Sequence, residues 1–98
     1  MKNGDMVTVV TVSGEYVGKL THLDGGNVSI DKPRMILQNP QSGEMGFARG
    51  IAVTGAENPE EVTFQNVVFV TPTNEQVTKA WQEATSSIVT PTKPTLVK

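Results

Sequence analysis

Short runs of β-prone residues, separated by turn signals, constrain the fold of this chain more than any other feature of its sequence. Valine and threonine make up 26 of the 98 residues, and both side chains are stiff at χ1 and pack well on a pleated sheet. Five or six short strands at this spacing predict a small β-barrel or sandwich. The predicted strands are residues 6–12, 16–23, 28–37 and 47–53 and two segments, 62–65 and 67–70, hinged near Asn66.

Glycine and proline inside these strands predict where the sheet bends. Gly18 lies within the second strand, and a strand-interior glycine usually marks a sharp bend or a close backbone approach. Pro33 has no amide proton for the ladder, which implies an edge or a bulge in the third strand. The adjacent residues Val9 and Val10 break the alternation of the first strand, which indicates either a bulge or burial on both faces.

The sequence changes character after the last predicted strand. Apolar residues then recur at helical spacing, and Thr73 and Gln76 have the spacing of a capping box. These signals predict one amphipathic C-terminal helix over about residues 74–87, with Trp81 in the core. The apolar stripe of the helix consists of Val77, Ala80, Trp81, Ala84 and Ile88.

Residues 1–90 are predicted to form one domain, and residues 91–98 a disordered tail. The polar first residues lack the apolar segment of a signal peptide. The longest apolar runs are far short of the roughly 20 residues that span a bilayer. We therefore expect a soluble, cytoplasmic protein with no membrane partner.

The inventory of reactive side chains argues against an enzyme. The chain has no cysteine and a single histidine, His22. A thiolate metal site is therefore impossible, and a histidine-based triad or metal centre lacks the ligands it needs. No catalytic residue, metal or cofactor is predicted. The net charge of −2 also lacks the basic excess that nucleic-acid-binding proteins usually show.

The stretch from Val7 to Ile30 carries a more specific pattern. A strand is followed by a turn glycine, an aromatic residue, a bend glycine and a leucine, and then by an aspartate and an asparagine around the next turn. This pattern resembles the first signature of the Sm-like family, and it is similar to small Sm-like proteins of marine cyanophages, with which it shares the Ser86-Ser87-Ile88 step. The residues that carry the resemblance are Gly14, Tyr16, Gly18, Leu20, Asp24, Asn27, Val28 and Ile30.

The resemblance implies a small, strongly bent Sm-like (SH3-like) barrel of about five to six strands. It also implies a homo-oligomeric ring of about five to seven subunits, formed by pairing of edge strands. Family members bind single-stranded RNA at the ring pore, so we expect a non-enzymatic ring protein of this kind. Carried over by position, Asn27 helps to hold a base and Asp24 supports the turn. From the residues alone, both suit a tight hairpin without a ligand equally well.

The second family signature, an apolar strand followed by Arg-Gly, has two possible positions. Arg49-Gly50 fits it and makes Arg49 the cation that faces a base or a phosphate. Alternatively, the closing turn lies at Gln65-Asn66, and Arg49 is a solvated charge on the ribbon of the third and fourth strands. A rival function also stays open, namely a phage-encoded structural or protein-interaction module that uses the same barrel without binding nucleic acid.

Overall fold

Six strands and one C-terminal helix follow one another in the computed structural model, which describes residues 1–48 and 50–85. The predicted mostly β fold with one C-terminal helix is therefore confirmed. The end of the predicted helix and the predicted tail, residues 91–98, lie outside the described residues, as does Arg49. The elements are β1 (Met6–Thr11), β2 (Gly14–Asp24), β3 (Asn27–Gln38), β4 (Met45–Phe47), β5 (Glu61–Phe64), β6 (Phe69–Pro72) and α1 (Glu75–Thr85).

All strand pairs are antiparallel, and they form one open sheet with the order β4-β3-β2-β1-β6. The long strand β3 pairs with β5 through residues 28–31 and with β4 through residues 36–38. Strand β5 pairs only with β3 and β6 only with β1, so within the described part of the chain the sheet does not close on itself.

The connection between β5 and β6 requires this open sheet to curl. Four inter-strand steps separate the two strands, which amounts to about 19 Å in a flat sheet. The connecting residues 65–68 reach at most about 18 Å when fully extended, and they include a turn, because Asn66 has a φ of 57°. The rings of Tyr16 on β2 and Phe64 on β5 also meet, with centroids 4.7 Å apart, although β3 lies between their strands.

Two irregularities in the ladder between β2 and β3 bend the sheet. Lys32 and Pro33 of β3 together face Gly18 of β2, and Thr21 is an extra residue further along β2. At the first bulge the two backbones are so close that a Cβ on Gly18 would lie 2.8 Å from the carbonyl oxygen of Asp31. The close approach predicted at Gly18 and the bulge predicted at Pro33 are thus confirmed.

Strand β1 is buried on both faces. Val7, Thr8 and Val9 are all buried, and the pairing of β1 with β2 has no register shift. The hydroxyl of Thr8 is satisfied by that of Thr73, 2.9 Å away. Of the two explanations for the adjacent residues Val9 and Val10, burial on both faces is therefore the correct one.

The curled sheet encloses the larger of two cores, and helix α1 covers the smaller one. Val17, Val77 and Trp81 form the smaller core, so the prediction of Trp81 as a core residue is confirmed. Partly buried residues of the sheet complete it, namely Met6, Ile36, Met45 and Phe47. The larger core consists of Val7, Val9, Tyr16, Leu20, Val28 and Ile30.

The N-cap of α1 differs from the predicted one. Asn74 caps the helix, because its Oδ1 accepts a hydrogen bond from the amide of Val77 at 2.8 Å. The hydroxyl of Thr73 instead bonds Thr8 in the sheet, so the predicted capping box of Thr73 and Gln76 is wrong. Among the described residues, no helix is long and apolar enough to cross a bilayer.

The predicted fourth strand, residues 47–53, is wrong at residues 48 and 50–53, and residue 49 lies outside the described residues. Pairing with β3 ends where the amide of Ala48 donates to the carbonyl of Met35. Gly50 then has a φ of 80°, a conformation open to glycine, and Ile51 packs against the larger core. The chain pairs with β3 again only at β5, so the predicted ribbon of the third and fourth strands is interrupted. The segment between β4 and β5 is here called the detour.

The detour leaves a gap along β3 between the segments that pair with β5 and β4. Neither β4 nor β5 reaches Pro33. The carbonyl of Pro33 accepts a hydrogen bond from Nη1 of Arg34 at 2.9 Å. Arg34 is 7% exposed. Burial lowers the pKa of its guanidinium, and the negative charge of Glu60 partly offsets this effect. The guanidinium of Arg34 thus satisfies a carbonyl that neither β4 nor β5 reaches.

Replacing Gly18 with alanine is expected to destabilise the protein, because the new Cβ would overlap the carbonyl oxygen of Asp31. Overpacking of this kind costs about 1–3 kcal/mol, which a denaturant titration measures as a lower free energy of unfolding. Gly26→Ala is the matched control, since a Cβ there would meet nothing within 4 Å. Equal stability of the two variants would contradict the close approach at Gly18.

Candidate functional site

The polar turn between β2 and β3 is built on two glycines. Asp24 and Asn27 face each other as the last pair of the ladder, and Gly25 and Gly26 connect them. Gly25 has a φ of 60°, a conformation that glycine adopts without a steric penalty. The turn therefore presents Asp24 and Asn27, both of them exposed, at the tip of the hairpin.

The side chains of Asp24 and Asn27 do not hold this turn together. Within residues 1–48 and 50–85, neither side chain forms a hydrogen bond with another group of the protein. Both side chains are also exposed, so a partner from outside the described residues can reach them. That availability is what a binding role for Asn27 requires.

One further exposed side chain lies on the same face of the hairpin. His22 pairs with Ser29, and Asp24 pairs with Asn27. The two pairs are two residues apart, so their side chains point to the same side. His22 is exposed, and a planar ring of this kind can stack on a nucleic-acid base. The strand register, which the sequence alone does not fix, brings His22 to the face of Asn27.

The turn after β5 lies next to the turn between β2 and β3. Phe64 pairs with Val28, the residue that follows Asn27. Gln65 and Asn66 therefore leave the sheet at the end of β3 where Asn27 lies, and both are exposed. The strand that follows, β6, pairs with β1. Of the two possible positions for the closing turn, Gln65-Asn66 is thus the one that leads into the last strand.

Arg49, the third residue predicted to bind RNA, lies outside the described residues. Its neighbour Ala48 bonds Met35, which lies towards the opposite end of β3 from Asn27. A binding role for Arg49 stays a prediction.

These observations define one polar surface, here called the polar end, at the shared end of β2, β3 and β5. Its side chains comprise one carboxylate, three amides and one imidazole, which can donate and accept hydrogen bonds with base edges. Within the described residues, no group of three or more His, Cys, Asp or Glu could hold a metal ion. The polar end consists of His22, Asp24, Asn27, Gln65 and Asn66.

Strand β6 has one free edge within the described residues. The amide of Thr73 donates to the carbonyl of Met6. Along β6, residues whose backbone groups point towards β1 then alternate with residues whose backbone groups point away from it. The N–H and C=O of Val70 therefore point away from β1. Val68 and Phe69, where the chain enters this strand, are 58% and 52% exposed, so an apolar surface accompanies the unpaired backbone groups.

Strand β5 has a free edge of the same kind. The amide of Lys32 donates to the carbonyl of Glu60, and the alternation that follows directs the backbone groups of Glu61 and Thr63 away from β3. Among the described residues, no strand pairs with this side of β5. Strand β4 pairs with β3 further along the same side, so β4 and β5 lie beside β3 and β6 lies at the opposite end of the sheet.

No protein-family model matches the chain, and no curated protein matches it. The polar end and the free edges of β5 and β6 are therefore the features of the molecule that bear on its function.

Asn27→Ala and Asp24→Ala are expected to leave the free energy of unfolding within about 0.5 kcal/mol of wild type, because exposed side chains without partners contribute little. Denaturant titrations measure this quantity. Asn74→Ala serves as the positive control, since losing an N-cap costs about 1 kcal/mol. A turn variant that loses as much stability as Asn74→Ala would show that its side chain has a structural role.

Proposed function

We propose that this chain is a non-enzymatic, cytoplasmic Sm-like protein that assembles into a homo-oligomeric ring and binds single-stranded RNA through its polar end. The observation that carries the proposal is that β5, which pairs beside β3, and β6, which pairs beside β1, each keep one free edge on opposite sides of one curled sheet. The bend at Gly18 and the return of the last strand to β1 support the Sm-like barrel that the pattern of residues 7–30 implies.

The two free edges favour pairing with further copies of the chain. Unpaired N–H and C=O groups on an edge strand form a template for another strand. Strand β5 offers the backbone groups of Glu61 and Thr63, and β6 offers those of Val70. Because the two edges differ, the contact is heterologous, and its repetition around an axis closes a ring. The exposed side chains of Val68 and Phe69 gain burial in such a contact.

In such a ring, one polar end per subunit surrounds a common axis. A single polar end has few donors, but several copies acting on one strand raise the effective concentration of each contact. The amide of Asn27 then holds a base and His22 offers a stacking surface. Arg49 would supply a cation apart from the polar end, because its neighbour Ala48 bonds Met35 towards the opposite end of β3. Single-stranded RNA suits this arrangement, because its base edges and faces are accessible.

A second function is favoured by the charge of the protein. The net charge is −2, and the polar end contains Asp24 and neither lysine nor arginine within the described residues. Nucleic-acid affinity depends largely on cations that neutralise phosphates. On this alternative the same ring is a phage-encoded structural or protein-interaction module that binds no RNA.

Val68→Arg is expected to weaken assembly, because the exposed valine beside β6 becomes a charge that must be desolvated in the contact. Native mass spectrometry and light scattering over a concentration series should show one wild-type oligomer of about five to seven subunits. The oligomer of the variant should dissociate at concentrations at least about tenfold higher than the wild-type oligomer does. A tenfold change corresponds to about 1.4 kcal/mol in the free energy of association. Val53→Arg is the matched control, since Val53 is fully exposed in the detour. A monomeric wild-type protein would overturn the proposed ring.

Asn27→Ala is expected to reduce RNA affinity by at least about tenfold, equivalent to 1.4 kcal/mol, while the ring persists. Anisotropy titrations with labelled oligo-U and oligo-A, at low and moderate salt, measure this. Asn58→Ala is the control, because Asn58 is an exposed asparagine outside the polar end. If the wild-type ring binds neither oligomer at low salt, the RNA proposal is wrong and the structural module becomes the better account.

A further inference from the structure

Helix α1 is tied to edge strand β5 through one residue of the sheet, Lys32. The indole Nε1 of Trp81 donates a hydrogen bond to the carbonyl of Lys32 at 2.8 Å. The amide of Lys32 in turn donates to the carbonyl of Glu60, the residue that precedes β5. A single residue therefore connects the helix to the start of β5.

Lys32 has a backbone conformation that needs support from its surroundings. Its φ is 50°, in the left-handed region that residues other than glycine rarely adopt. Trp81 is only 4% exposed, so its buried indole N–H needs an acceptor, and the Lys32 carbonyl provides it. Helix docking and the left-handed conformation of Lys32 thus stabilise each other.

Strand β5 depends on this link because it is short and paired on one side. It has four residues, and among the described elements it pairs only with β3. Two side-chain bonds add to the ladder, from Thr21 to Glu61 at 2.6 Å and between Ser29 and Thr63 at 2.7 Å. The amide of Lys32 fixes the point at which the chain enters the strand.

We infer that docking of α1 controls the assembly edge formed by β5. With Trp81 bonded to Lys32, β5 is held in register and accepts the edge of another copy. Without that bond β5 loosens while the rest of the sheet stays folded, so the ring dissociates. This inference rests on the proposed ring, because the outer side of β5 is where the neighbouring copy pairs. It makes the C-terminal helix a regulator of assembly as well as a cover for the smaller core.

Trp81→Phe tests the link, because phenylalanine keeps an aromatic ring in the core and removes the indole donor. Hydrogen exchange is measured at the amides of Val62 and Phe64, which point towards β3. Both should exchange at least tenfold faster than in wild type, while the amide of Val9 keeps its rate. In parallel, the dissociation constant of the oligomer should rise at least tenfold. The matched control is Thr85→Val, which removes a hydrogen bond within α1 and should change neither quantity.

Lys32→Val provides an independent test that leaves Trp81 in place. A β-branched residue disfavours positive φ, so this variant should also accelerate exchange at Val62 and Phe64. Unchanged exchange at these two amides in both variants, or equal acceleration at Val9, would overturn the inference. A monomeric wild-type protein would instead overturn the proposed ring, and the exchange rates would still decide whether α1 and β5 are coupled.

Discussion

The close approach of Gly18 to the carbonyl of Asp31 is the contact on which the rest of the structure depends. Only a residue without a Cβ lets the two backbones come this near, and the bulge at Lys32 and Pro33 forms directly opposite. The long strands β2 and β3 bend there, so the sheet wraps around its own apolar face. In a chain of 98 residues, where little surface can be buried, this curl lets one sheet enclose a core.

This bend and the pairing of β5 with β3 together produce the two features from which we infer function. By curling the sheet, the bend brings β5 and β6 within the reach of a short connection, and in the part of the chain that the structure describes their outer edges stay unpaired. The pairing of β5 with β3 places the turn after β5 beside the turn between β2 and β3, which assembles the polar end. Helix α1 does not close either edge. It packs on the smaller core and, through Trp81 and Lys32, connects to β5.

Features encoded by single residues could be predicted from the sequence, whereas features that depend on register could not. The close approach at Gly18 and the core position of Trp81 could be predicted, because a strand-interior glycine and an indole on a helical stripe each have one dominant structural explanation. Asn74 displaced the predicted cap because a tertiary hydrogen bond in the sheet takes the neighbouring threonine. The residues around Ile51 have the local pattern of a strand, so the sequence predicted continued pairing with β3. In the structure Ile51 instead packs against the larger core. The position of His22 beside the polar end emerges only once the strands are paired.

Cross-linking through engineered cysteines tests the central claim, that β5 of one copy pairs with β6 of the next, most directly. The chain has no cysteine of its own, so Thr63→Cys marks the edge of β5 and Phe69→Cys marks the start of β6. When the two single variants are mixed and treated with a short thiol cross-linker, the account predicts covalent dimers that join position 63 to position 69. Neither variant alone should cross-link. Absence of the mixed product, or efficient dimers of one variant with itself, would contradict the account.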